Sequence, residues 1–269
     1  MLRLPAVAGR FYPSDAVELT KAVRDCAPVE PGRTRVRAKA CLVPHAGYVY
    51  SGHVAGAVYS RVMLPKRIVI LGVRHFPRGE RAAILSSGAW KTPLGDVPID
   101  EGLGGELRAA CPLLREDGVA HSGEHSLEVQ LPFLQVLDAG FGFIPVALGM
   151  SKFEEMAAIG EGIGRVLAAA REDTLLVTSS DMNHYEDDVT TRAKDGKAIE
   201  RLLAMDARGL FDVCRENAIS MCGLGPAVAM LTALKALVPV EAELVRYATS
   251  ADVSGDRSAV VGYAGMTFS

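Results

Sequence analysis

The sequence predicts one α/β domain in which helices cover both faces of a single sheet. Three observations lead there. Short, β-branched apolar runs alternate with segments of helical period over most of the chain. The last fifth adds two more strand-like stretches, which could run antiparallel and make the sheet mixed. No Ser/Pro/Gly-rich linker, low-complexity tract or repeat divides the 269 residues, so residues 1–269 read as a single domain.

The strands come first. "ACLVP" (40–44), "RIVILG" (67–72), "FIPVALG" (143–149) and "TLLVTSS" (174–180) are short continuous apolar runs, the pattern of strands buried on both faces. Between them, "SGHVAGAVYSRV" (51–62) is rich in small residues, as a helix packed closely on a sheet would be. "EHSLEVQLPFLQVL" (124–137) sets Leu127, Leu131 and Leu134 on one stripe, with Pro132 limiting or kinking the helix. "SKFEEMAAIGEGIGRVLAAA" (151–170) is amphipathic, and Ser151 is placed to cap it. "TRAKDGKAIERLLAM" (191–205) is a further helix, and "PAVAMLTALKALVPV" (226–240) reads as a buried one. "AELVRYATS" (242–250) and "SAVVGYAGMTF" (258–268) supply the last two strands.

Bulk composition narrows the function. An apolar fraction of 49% with 23% charged residues suits a globular protein with a sizeable core. A net charge of -3 gives no electrostatic reason to expect nucleic acid or an anionic membrane as partner, so a small molecule is the expected ligand. The basic cluster "RTRVRAK" (33–39) alternates with small or apolar residues and reads as a solvated edge. The N-terminal stretch lacks the apolar core of a signal peptide, and no run is long enough to span a bilayer. Five scattered cysteines without a C-x-x-C pair suit reduced thiols and a cytoplasmic location.

Histidine placement points to the chemistry. Of six histidines, His45, His75 and His184 each follow a strand, in "CLVPHAGYVYSG", "IVILGVRHF" and "LLVTSSDMNH". Ligands of open α/β sheets bind beyond the carboxyl ends of the strands, so three imidazoles are expected at one sheet edge. Asp181 stands three residues before His184. Imidazole with carboxylate suits iron(II), zinc or manganese, and two histidines with one carboxylate suit non-haem iron(II) in particular. His125, beside Glu124 at an expected helix start, reads as a general acid/base or a substrate hydrogen-bond donor. His53 and His121 read as structural. The glycines around "YVY", Gly47 and Gly52, lack the spacing of a P-loop or a dinucleotide fingerprint, which argues against nucleotide binding.

"AGRFYPSD", "PHAGYVYSG", "LGVRH", "EHSLEVQLPF", "SSDMNHY", "MCGLGP" and "VVGYA" occur in an order that resembles the Memo family, over about residues 5 to 265. Its prokaryotic members are known as AmmeMemoRadiSam system protein B. The resemblance implies a three-layer sandwich with a central mixed sheet, similar to class III extradiol (LigB-like) dioxygenases. It puts metal-binding histidines on His45 and His75, and pocket residues on His125, Asp181 and His184. The family's paired histidine reads "HF" here, so Phe76 replaces the second imidazole. The resemblance places the third ligand in "YATSADVSGDRS", which holds no cysteine, so Asp252 or Asp256 could supply an oxygen, or could merely cap turns. Cys222 of "MCGLGP" matches a family motif and reads as a buried or helix-entry thiol.

These features lead to an iron(II)-dependent oxidoreductase of dioxygenase type, with His45, His75 and Asp252 as ligands. His125 would take a substrate proton, and His184, oriented by Asp181, would hydrogen-bond substrate. Zinc- or manganese-assisted hydrolysis is the alternative. A non-catalytic scaffold working with AMMECR1-type and radical SAM proteins, as the family name implies, is a third.

Overall fold

The near-continuous apolar runs do form the centre of a sheet. In the computed structural model, residues 1–28, 34–138, 140–237 and 239–269 are described; Arg33 of the basic cluster and Val238 of the apolar run lie outside them. The strands are β1 (Leu2–Arg3), β2 (Ala40–Val43), β3 (Arg67–Val73), β4 (Ala82–Ile84), β5 (Ala89–Thr92), β6 (Gly95–Pro98), β7 (Arg115–Glu116), β8 (Gly142–Leu148), β9 (Thr174–Ser179), β10 (His184–Glu186), β11 (Ala242–Thr249) and β12 (Val260–Phe268). The helices are α1 (Ala16–Cys26), α2 (His53–Tyr59), α3 (Glu101–Ala110), α4 (Leu131–Leu137), α5 (Phe153–Ala169), α6 (Asp188–Leu203), α7 (Ala207–Glu216), α8 (Leu224–Leu234) and α9 (Ala251–Ser254).

A nine-stranded mixed sheet runs in the order β10-β12-β2-β9-β3-β8-β4-β7, with β11 paired to β12. Its centre, β2-β9-β3-β8, is parallel, while β12 joins β2 and β11 antiparallel. Helices α5 and α8 pack together on one face, and α1, α2 and α4 on the other, giving three layers. Ile68, Val69, Ile70 and Leu71 of β3 are fully buried because both faces of that strand are covered. Helices α5 and α8 come close because residue 160 is a glycine: a Cβ there would sit 2.4 Å from the Ala229 carbonyl oxygen.

Local differences from the sequence expectation have identifiable causes. Pro132 does not kink a helix over 124–137; it sits in the first turn of α4, where its missing N–H costs nothing. The segment before it is irregular apart from a 3-10 turn over Glu128–Gln130. Helix α5 starts at Phe153 after Lys152, with no side-chain cap, so Ser151 does not cap it. A second sheet of three strands, β1-β5-β6, lies outside the expected pattern, and buried Trp90 of β5 anchors it. Among the described residues no helix is long and apolar enough to cross a membrane.

Candidate metal centre

Strands β2, β9 and β3 are adjacent and parallel, so their carboxyl ends open on one side of the sheet. His45 follows β2, His75 follows β3, and the turn after β9 leads to Asp181 and His184. All four line one open cleft of about 670 Å³, together with Phe11, His125, Tyr185, Ser220 and Cys222. The convergence expected from the strand ends is present.

The tightest grouping differs from the expected one. Ligating atoms of His45, His75 and His125 all lie within 4.8 Å of one another, an arrangement that could hold a metal ion. The rings of His75 and His125 stack at 4.5 Å between centroids, and the His45 ring meets them edge-on at 5.2 and 5.5 Å. His125 is not at a helix start; it stands in the turn before the 3-10 segment, where its carbonyl accepts from Val129 N–H.

Hydrogen bonds behind the rings assign which nitrogen faces the cleft. The Ser179 hydroxyl donates to the Ser126 carbonyl (2.6 Å), which can only accept. Ser179 Oγ in turn accepts from Gln130 Nε2 (2.9 Å) and from His45 Nδ1 (3.0 Å), which leaves the lone pair on His45 Nε2. His75 Nδ1 donates to Glu124 Oε1 (2.9 Å), while Glu124 Oε2 accepts the His75 backbone N–H (2.8 Å). A carboxylate behind a histidine fixes its tautomer and raises its basicity as a ligand.

The electrostatics keep His45 and His125 unprotonated. Burial, reinforced by His75, lowers His45 to about 3. Burial and the neighbouring His45 and His75 lower His125 to about 4. Burial pushes the Glu124 carboxyl upward, yet the His75 hydrogen bond and charge and the Ser126 and His75 N–H groups outweigh it, leaving it at about 2. Glu124 is thus ionised, and His45 and His125 are neutral at pH 7, the states that metal ligation requires.

The segment carrying Glu124 and His125 is held from both sides. Ser126 Oγ accepts the Val73 N–H at the end of β3 (3.0 Å), and Gly72 permits that approach, since a Cβ there would meet Ser126 Oγ at 2.6 Å. From the far side, buried Arg3 donates to the carbonyls of His121 (3.1 Å) and Glu124 (2.8 Å) and pairs with Glu128.

Asp252 is placed elsewhere than at these imidazoles. Its carboxylate accepts from Arg192 (3.1 Å) and from the Thr249 N–H (2.9 Å), and it does not line the cleft. Asp256 caps a turn through Ser258 (2.9 Å). The acids of "SADVSGD" are therefore occupied by a guanidinium and by turn N–H groups, and neither lines the cleft with the imidazoles. Phe76 is half-exposed on the loop beyond His75 and is not among the residues lining the cleft.

Cys222 was underrated by its motif. Its Sγ lies 3.3 Å from His45 Nε2 and accepts the Asp181 N–H at 3.3 Å. Burial, with the Asp181 charge, pushes the thiol up, so it is protonated without a metal. Asp181 is itself raised by burial and accepts the His45 N–H (2.7 Å), fixing the start of the His45 loop. His184 is held by Ser220 rather than by Asp181: its N–H donates to Ser220 Oγ (2.8 Å) and its Nδ1 to the Ser220 carbonyl (3.1 Å). That leaves His184 Nε2 as an acceptor. His53, at the start of α2, and fully buried His121 lie outside the cleft lining.

Known proteins resemble this chain over nearly its whole length. A family model described as Memo-like protein matches residues 3–267. A MEMO1 family protein of Methanopyrus kandleri is 41% identical over 280 residues, covering 100% of this chain and 99% of its own. One from Aquifex aeolicus is 41% identical over 271 residues, covering 99% of each chain. Among solved structures, an uncharacterized protein of Escherichia coli K12 shares the fold, with a TM-score of 0.52 and 15% identity over 86% of this chain and 99% of that one.

Proposed function

The chain belongs to the Memo family, and from that premise we propose that it is a metal-dependent oxidoreductase, with iron(II) held by His45, His75 and His125. One observation carries the reading: three imidazoles converge within 4.8 Å, two of them with the ring nitrogen facing the cleft fixed by the hydrogen bonds behind it. Imidazole nitrogen donors, two of them (His45 and His125) kept neutral by burial, fit a divalent ion of borderline softness. Cys222 Sγ, beside His45 Nε2, is a further donor within reach of the same ion.

A bound iron(II) would supply a Lewis-acidic, redox-active centre with positions left for a vicinal diol or similar chelating substrate and for O2. The protein's own part is positioning and proton transfer. His184 Nε2, freed by the Ser220 contacts, accepts a proton from a substrate hydroxyl. Asp181 holds the His45 backbone in place by accepting its N–H. His125, expected to be the base, serves instead as a ligand. One of its ring nitrogens lies within 4.8 Å of those of His45 and His75.

A second reading is favoured by one feature. Three imidazoles without a carboxylate are the donor set of zinc sites that activate water, so metal-assisted hydrolysis fits the same geometry.

The test is elemental analysis of protein purified anaerobically, without an affinity tag or added metal. About one ion per chain is expected, lost in His45→Ala, His75→Ala and His125→Ala; full retention in all three would remove the proposed ligands. Turnover that needs iron(II) and O2 supports the oxidoreductase, whereas anaerobic turnover with zinc supports the hydrolase. His184→Ala should keep the metal and lose turnover.

A further inference from the structure

Tyr185 occupies a position that the fold alone does not explain. It has φ 60°, one of three non-glycine residues among those described with positive φ. For a bulky aromatic side chain this left-handed conformation is strained. The cause is a β-bulge: His184 pairs with Val261 and Glu186 with Val260, so Tyr185 is the extra residue. Such bulges re-aim side chains next to active sites. Here the bulge lets His184 turn into the cleft, but glycine at 185 would serve that purpose with less strain.

The aromatic side chain therefore needs another reason. Among the described residues none covers it, and Tyr185 is 77% exposed. Yet it lines the metal cleft, with its ring 5.7 Å from that of His184. On the other flank Phe11 lines the same cleft, its ring 4.8 Å from that of His125. Among the described residues lining the cleft there is no Lys or Arg, and Asp181 adds a buried acid. Nothing there would match a carboxylate or phosphate on the ligand.

We propose that Tyr185 is the specificity-determining residue of this centre, placing its ring against a flat, uncharged substrate seated in the cleft lined by the imidazoles of His45, His75 and His184. This rests on the metal-centre reading above and adds to it the shape and charge of the substrate. The strain at position 185 is retained because the aromatic face contributes to binding a ligand that the free protein lacks. Phe11 supplies the second apolar wall.

The test uses catechol as a probe of the iron(II)-loaded protein under argon, with affinity read by calorimetric titration. Tyr185→Phe should keep the wild-type affinity, since the ring is retained. Tyr185→Leu and Tyr185→Gly should weaken it about three- to tenfold, the range of one aromatic contact. Tyr185→Gly should melt no lower than wild type, because it relieves strain. The carboxylated diol 3,4-dihydroxybenzoate, with the same chelating pair, should bind more weakly than catechol. Equal catechol affinity across the Phe, Leu and Gly variants would overturn the role of Tyr185 while leaving the metal centre intact. Tighter binding of the carboxylated diol would overturn the uncharged substrate. Absence of iron-dependent catechol binding by the wild type would overturn the underlying diol reading, and this inference with it.

Discussion

Glu124 grips His75 twice, through Nδ1 at 2.9 Å and through the backbone N–H at 2.8 Å, and thereby fixes both the tautomer and the place of that ring. The carboxylate is fully buried and also receives the Ser126 N–H (2.8 Å). Glu124→Gln keeps the shape but removes the charge and sets an amide N–H against one of these donors. Metal affinity should fall about 10- to 100-fold, as for other partners of a ligating histidine. Competition with a chromogenic chelator measures this. Unchanged affinity would mean that His75 is not a ligand.

The contact of Cys222 with His45 makes a separate prediction. If its sulfur joins the donor set, Cys222→Ser should discriminate between metals. Zinc affinity should fall by about tenfold or more, whereas manganese affinity changes little, because thiolate selects softer ions. Equal losses for both ions would assign Cys222 to packing beside Ser180 and Asp181. Isothermal titration of each ion into the two proteins reads the difference.

These two residues also mark the limit of what the sequence makes legible. His45, His75 and His184 could be placed together because each follows an apolar strand, and parallel strands open their carboxyl ends on one side. The three strands prove to be neighbours. The place of His125 beside His45 and His75 was not legible, because its turn is shaped by Arg3, 121 residues away from the Glu124 carbonyl it binds. Asp252 looked available for the complementary reason: its partner Arg192 lies 60 residues earlier, and no local pattern announces that pairing. Cys222 carried a motif but no strand-end signal; it reaches His45 because the turn before α8 packs on the end of β9, where Gly223 N–H meets Ser180 Oγ (2.9 Å). Local periodicity specifies strands and helices, whereas the path of an irregular turn depends on distant hydrogen bonds.

Arg3 connects the N-terminus to the centre and predicts a stability effect. Its guanidinium is buried against Glu128, two backbone carbonyls and the face of Trp90 (4.2 Å). Glu128 in turn accepts from Tyr12 Oη (2.6 Å) and from the N–H groups of Ala6 (2.8 Å) and Val7 (3.1 Å). Arg3→Met leaves that carboxylate without its counter-charge and should destabilise the fold by about 3–5 kcal/mol. Adding Glu128→Leu should cost less than the sum of the two single changes, since the pair acts as a unit. Urea unfolding of the four proteins tests this, and strict additivity would contradict it. Metal affinity of Arg3→Met should fall as well, because the turn bearing Glu124 and His125 loses its anchor.

Asp195 predicts how stability varies with pH. It is fully buried on α6, with Oδ1 accepting the Asn183 N–H (2.8 Å) and Oδ2 the Tyr247 hydroxyl (2.6 Å). Burial raises its pKa from 3.8 to about 6, although Tyr247, Asn183 and Arg192 all pull it down. The folded protein therefore keeps a proton that the unfolded chain releases, and the sign follows from linkage. Stability falls as pH rises from about 4 to about 6 and stays lower above that, by an amount on the order of 2–3 kcal/mol. Asp195→Asn has no such proton to lose. Relative to wild type it should gain stability as pH rises through this window, then hold the gain at pH 7. Denaturant midpoints at half-unit steps from pH 4.5 to 7.5 compare the two proteins. Parallel profiles would show that Asp195 is ionised in both states and that Tyr247 and Asn183 outweigh its burial.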